Sequence, residues 1–283
     1  MEFANWTPVS FDKVRDITGF WRERISAVQT RTARVCLDQC EKTGRLANFR
    51  RAAGREEGPF QGRYYNDSDV YKVLEGVAYL LIHERDPALE AEADAIIDDI
   101  CAAQWEDGYI NTYFSLTNPD ARWTDMAMHE DYCIGHMIEA AIAYFQATGK
   151  DTWLKSAIRA AEHMMSQFGP GKRHWVVGHQ EPELALVRLW RLTGREDFLD
   201  FAAWLIRERG HGHLESAAFE RLKFQSDYVQ DDTPAEELSK VVGHAVRAMY
   251  YYSAMADIAM VRGDAALRQS LLRLFDNVVP ANL

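Results

Sequence analysis

The chain is 283 residues long, with 43 acidic against 32 basic side chains and a formal net charge of −11. Hydrophobic residues make up 47% and aromatics 12%, enough for a sizeable core, which excludes disordered, collagen-like and disulfide-scaffold classes. The acidic balance repels phosphate backbones and anionic lipid, so neither a nucleic-acid nor a membrane partner is expected, and the ligand is expected to be neutral, cationic or gripped locally.

From the start, Met1 to Phe20 lacks a basic stretch followed by an apolar core, so no secretory leader is expected. No run approaches the roughly 20 apolar residues of a bilayer-spanning helix. Four cysteines, Cys36, Cys40, Cys101 and Cys133, read as reduced thiols of a cytoplasmic protein. Apolar spacing then predicts about nine helices. They run Arg24–Thr43, Ser68–Glu84, Pro87–Gln104, Tyr132–Thr148, Thr152–Phe168, Glu181–Thr193, Glu196–Arg209, Gly243–Arg262 and Ala265–Val279. Gly149, Gly194 and Gly263 stand where one helix ends and the next begins, followed by an acidic residue suited to a helix N-terminus. Asp86-Pro87 plays the same part, with proline in the first helical turn. Two long connections, Trp105–Asp131 and Gly210–Lys240, are candidate functional loops or lids. Helices before a glycine turn are rich in Ala, Gly and aromatics, and those after it carry more charge. Buried inner helices wrapped by half-exposed outer ones explain the difference. The expectation is an all-α protein, one α/α toroid domain over residues 1–283.

Unusual polar residues gather at the N-terminal ends of the presumed inner helices: Asp67, Asp69, His129, His179 and His244. Parallel inner helices place them around one rim, where free N–H groups also suit oxygen-rich ligands. Asp67, Ser68 and Asp69 also suit helix capping, and any single histidine suits a hydrogen-bonded core position. Three histidines at equivalent places favour a site. His136, seven residues after His129, reads as a buried strut. Glu181 and Glu183 suit general acid–base work or simply the first turn of a helix. Cys36 and Cys40 have helical ligand spacing but no further ligand nearby, so a structural role is expected. Gly62, Gly108 and Gly178 read as turns, since no phosphate-binding glycine signature occurs, nor HExxH or GxSxG.

The segments Asn66–Glu75, Asp107–Thr112, His129–His136, Gly178–Leu184 and Gly243–Tyr250, in this order, resemble glycoside hydrolase family 127, the β-L-arabinofuranosidase family. The resemblance implies an (α/α)6 barrel and a retaining glycosidase acting on arabinofuranose-containing oligosaccharides. It also implies that His129, His179 and His244 line the sugar pocket. The family's acid/base Glu, its zinc ligands (one Glu and three Cys) and its Cys nucleophile lie beyond the matched region. Zinc is therefore expected for the full-length family, with its ligands absent from this chain, and no catalytic residue is identified within it. A ring of six hairpins exceeds the predicted helix count, so an incomplete toroid is expected. Its open edge, carrying Leu271, Leu272, Leu274 and Phe275, would pair in a homo- or hetero-oligomer. Two other readings stay open: a metal-independent sugar epimerase or uronide hydrolase of toroid type, and a non-catalytic carbohydrate-binding or assembly module.

Overall fold

The computed structural model describes residues 9–14 and 17–282; the leader reading of residues 1–8 lies outside them. Thirteen α-helices follow one another, and among the described residues there is no strand. They are α1 (Phe20–Ala27), α2 (Ala33–Lys42), α3 (Arg45–Ala52), α4 (Asp67–His83), α5 (Pro87–Ala102), α6 (Thr112–Thr117) and α7 (Glu130–Thr148). Then come α8 (Thr152–Gln167), α9 (Pro182–Thr193), α10 (Glu196–Arg207), α11 (Ala217–Leu222), α12 (Ala245–Arg262) and α13 (Ala265–Asn282). The all-α, hairpin-built class expected from periodicity is what the structure shows. The expected first helix is α1 and α2 joined through a π-helical turn, Val28–Thr32. The wider turn carries buried Gln29, whose amide donates to the Glu84 carbonyl at the end of α4, 2.8 Å away.

Local chemistry explains the boundaries. Asp86 accepts from the N–H groups of Ala88 and Leu89 with Pro87 inside the first turn, starting α5. Gly194 ends α9 in the left-handed region, φ 70°, where a Cβ would be strained, and Glu196 opens α10 two residues later.

The helices group into two compact units. One holds residues 9–122 and 136–163. Its centre is α4, packed on α2, α3 and α5, burying Val70, Leu74 and Ala78, while α5 buries Leu89, Ala93 and Ile100. The other holds residues 123–135 and 164–282. There α9 pairs with α10 and α12 with α13, while α12 also packs on α9 and α10. Leu186, Leu189, Phe198, Leu205, Tyr251 and Met255 are buried in this unit. On α13, Leu274 is buried, whereas Leu272 and Phe275 are exposed. No helix among the described residues is long and apolar enough to cross a membrane.

Candidate functional site

Three of the five expected site residues converge within the second unit, each at the start of a helix. His129 precedes α7, His179 lies three residues before α9, and His244 is the N-cap of α12. The His129 and His179 rings are 5.4 Å apart between centroids, and His179 and His244 are 5.9 Å apart. Tyr132 stands 4.4 Å from His179, Tyr250 stands 6.0 Å from it, and Tyr228 stands 5.6 Å from His244.

Backbone contacts bring these segments together. A Cβ on Gly178 would meet the Met126 carbonyl oxygen at 1.9 Å, so only glycine lets the His179 segment lie against the one that leads to His129. Gly243, at φ 73°, packs as tightly on the Asp227 carbonyl, and the His244 N–H donates to the Tyr228 carbonyl at 3.0 Å. Arg247 is buried; its Nε donates to the Gly178 carbonyl at 2.9 Å and its guanidinium lies 4.8 Å from the Tyr228 ring centre. Gln180 donates to the Val229 carbonyl and to Gln230, tying the long 210–240 connection to the same place.

Hydrogen bonds set the tautomers. His129 Nδ1 lies 2.6 Å from the Ala127 carbonyl and His179 Nδ1 lies 3.0 Å from the Gln180 carbonyl. A carbonyl only accepts, so Nδ1 carries the proton in both rings. His244 Nδ1 instead accepts from the Arg247 N–H, so a neutral ring carries its proton on Nε2. Burial, reinforced by the Arg247 charge, pushes His179 down to about 3. His244 is lowered by the same two causes in the same order. At neutral pH both rings are uncharged. One offers a lone pair at Nε2 and the other an N–H, a set suited to sugar hydroxyls, with tyrosine faces beside them for apolar C–H surface.

Buried carboxylates of this unit brace the same segments. Asp131 is raised to about 7 by burial, although it accepts from Trp175 Nε1 and from the Tyr132 N–H. Glu183 accepts from the Glu181 N–H and lies 3.6 Å from Arg209, itself buried and donating to the Val177 and Val229 carbonyls.

Asp67 and Asp69 belong to the first unit. Both Asp67 oxygens accept from Thr112, one from its N–H at 2.7 Å and one from its hydroxyl, and neither caps α4. Burial raises its pKa to about 6, while the two Thr112 bonds pull it down. Asp69 pairs with Arg45 at 2.8 Å. The 105–112 connection is pinned to α8: Arg159 donates to the Trp105 and Glu106 carbonyls, and His163 Nδ1 to that of Asp107. His136 is buried in α7.

Sequence reasoning did not single out Tyr132, Tyr228, Tyr250 or Arg247. Tyr132 and Arg247 sit three residues after His129 and His244, a helical neighbour spacing that was the signal available, whereas Tyr250, six residues after His244, does not share it. The residues present do not fit a thiolate zinc: the four cysteines form no disulfide, and none of them joins a cluster of metal-ligating side chains among the described residues. Among the described residues the one group close enough to hold a metal is His174, Glu208 and His213, with no cysteine in it.

Comparison with known proteins gives a consistent picture. Residues 13–282 match the family model described as "Beta-L-arabinofuranosidase, GH127 catalytic domain". A non-reducing end β-L-arabinofuranosidase of Bifidobacterium longum subsp. longum is 36% identical over 258 residues, covering 84% of this chain and 39% of that protein. The crystal structure of a GH127 β-L-arabinofuranosidase from Geobacillus stearothermophilus T6 superposes with a TM-score of 0.88 at 38% identity. That match covers 93% of this chain and 44% of the other. A further GH127 β-arabinofuranosidase structure gives 0.86 at 34% identity, covering 96% and 43%. The chain thus spans about two fifths of the length of the relatives it matches.

Proposed function

Because this chain belongs to the GH127 β-L-arabinofuranosidase family, we propose that its residues 123–135 and 164–282 carry the sugar-binding wall of a glycosidase acting on terminal β-L-arabinofuranosyl groups. The observation that carries this reading is the set of three imidazoles with ring centroids within 6 Å of one another along the chain His129–His179–His244. Of these, His179 and His244 are held toward the neutral form. His179 Nε2 would accept from one furanose hydroxyl and His244 Nε2–H donate to another, with His129 alongside and Tyr132, Tyr228 and Tyr250 lining the apolar face. Neutral rings favour a neutral sugar over a uronide, whose carboxylate would call for cations. Asp67 and Asp69 enter the proposal as supports of α3, α4 and the Thr112 turn rather than as direct ligands.

No residue of this chain is assigned as nucleophile or acid/base. The thiolate zinc that the family resemblance implies finds no matching donor set among the described residues, and no step is routed through it. Four cysteines without a disulfide fit a reducing compartment, which supports the cytoplasmic reading.

The test is a saturation-transfer NMR titration of the 283-residue chain with methyl β-L-arabinofuranoside, beside an assay with an aryl β-L-arabinofuranoside. Binding that disappears in His179→Ala and weakens in His244→Ala, without hydrolysis by the chain alone, is the expected result. Equal binding by a His129→Ala/His179→Ala/His244→Ala variant would overturn the assignment.

A further inference from the structure

Outside the three-imidazole wall, a second cluster joins segments that the sugar-binding reading leaves unused. Glu208 is the residue that ends α10; His174 lies in the segment leading to His179; His213 closes the His211-Gly212-His213 turn. Gly212 has φ 75°, a conformation that favours glycine and lets the turn fold back. One oxygen of Glu208, Oε2, lies 2.7 Å from His174 Nδ1 and 3.0 Å from His213 Nδ1. The two imidazoles face each other with centroids 3.9 Å apart and planes 30° apart. All three donor atoms fall within 4.8 Å of one another, and the His211 ring is 6.2 Å from that of His213.

We propose that His174, Glu208 and His213 bind one divalent first-row transition ion of the zinc or nickel class. In a tetrahedral zinc site with bonds of about 2.0–2.1 Å, neighbouring ligand atoms are about 3.3 Å apart. The two nitrogen–oxygen edges seen here, 2.7 and 3.0 Å, need to open by about 0.6 and 0.3 Å. Two imidazoles and one carboxylate select a borderline ion over magnesium or calcium, which take oxygen ligands. Glu208 is nearly buried and fixed by the helix end, while His174 is exposed, so the remaining coordination position faces solvent. The residue after Glu208, Arg209, already holds the Val177 carbonyl. An ion at this place would therefore fasten the 174–179 segment to the end of α10 at a second point, five residues before His179. The donor set contains no thiolate, and the site stands independently of the sugar-binding reading.

The test uses the tag-free 283-residue chain, stripped with chelator and titrated with Co²⁺ and Zn²⁺. One equivalent of Co²⁺ should bind with visible d–d absorption and without the near-ultraviolet band of a cobalt thiolate. Zn²⁺ should raise Tm and slow hydrogen exchange over residues 175–180. His174→Ala and Glu208→Gln should each lower affinity at least about tenfold, while Cys36→Ser/Cys40→Ser should leave it unchanged. Circular dichroism checks that each variant is folded. Uptake no greater than that of a His174→Ala/His213→Ala variant, or a thiolate spectrum lost in Cys36→Ser/Cys40→Ser, would overturn the proposal.

Discussion

His179→Asn should remove a defined part of the acid sensitivity of this protein. An unfolded imidazole takes up a proton near pH 6.5, whereas His179 in the folded state does so only at about 3. Between those values the unfolded chain binds a proton that the folded chain refuses, so stability falls as pH is lowered through 6.5 and continues to fall to about 3. At pH 5 the loss is about 2 kcal/mol relative to pH 7, from 1.5 pH units at 1.36 kcal/mol each. The cause is burial among His129, Tyr132, Tyr250 and His244 with the Arg247 charge close by, and asparagine has no proton to refuse. Buried Asp131, raised to about 7, contributes with the opposite slope, because its unfolded carboxyl ionises first as pH rises. That term is common to both proteins. The assay is therefore urea unfolding of wild type and His179→Asn at pH 7 and pH 5, read as the difference of differences. A value near 2 kcal/mol is expected; one below about 0.5 kcal/mol, the usual limit of additivity, would refute the reasoning.

Gly178→Ala should destabilise by about 1–3 kcal/mol through backbone overlap with Met126 and Ala127 and weaken sugar binding with it. Gly194→Ala meets no atom within 4 Å and should cost only the left-handed backbone term of about 1 kcal/mol. Thermal melts in which the two variants fall equally would contradict the steric account. Thr112→Val should cost about 1–3 kcal/mol at pH 7 by taking one of two donors from buried Asp67. The cost should shrink at pH 5, below the value of about 6 at which Asp67 takes a proton in the folded state. Urea unfolding at the two pH values checks this, and a cost that does not change with pH would count against an ionised Asp67.

The long helices were legible because each spans several turns of apolar spacing and carries a local stop or start, such as Asp86-Pro87 or Gly194. The short helices α3, α6 and α11 were not, since six to eight residues hold too few turns to establish a period. The histidines were legible by type and place. Their surroundings were not: Tyr228 reaches His244 only because the 210–240 connection is tied down by Gln180 and the His244 N–H, partners remote in sequence. Asp67 read as a cap or a rim ligand because its partner, Thr112, is 45 residues away and leaves no local trace.

His129 holds a left-handed backbone, φ 60° and ψ 22°, in a residue with a branched ring and no glycine-like freedom. That conformation weighs against most L side chains by about 1–2 kcal/mol relative to glycine, and least against asparagine. Two kinds of selection would therefore disagree at this one codon. A library screened only for heat resistance is drawn by the backbone toward glycine or asparagine, whereas one screened for ligand capture is drawn by the imidazole back to histidine.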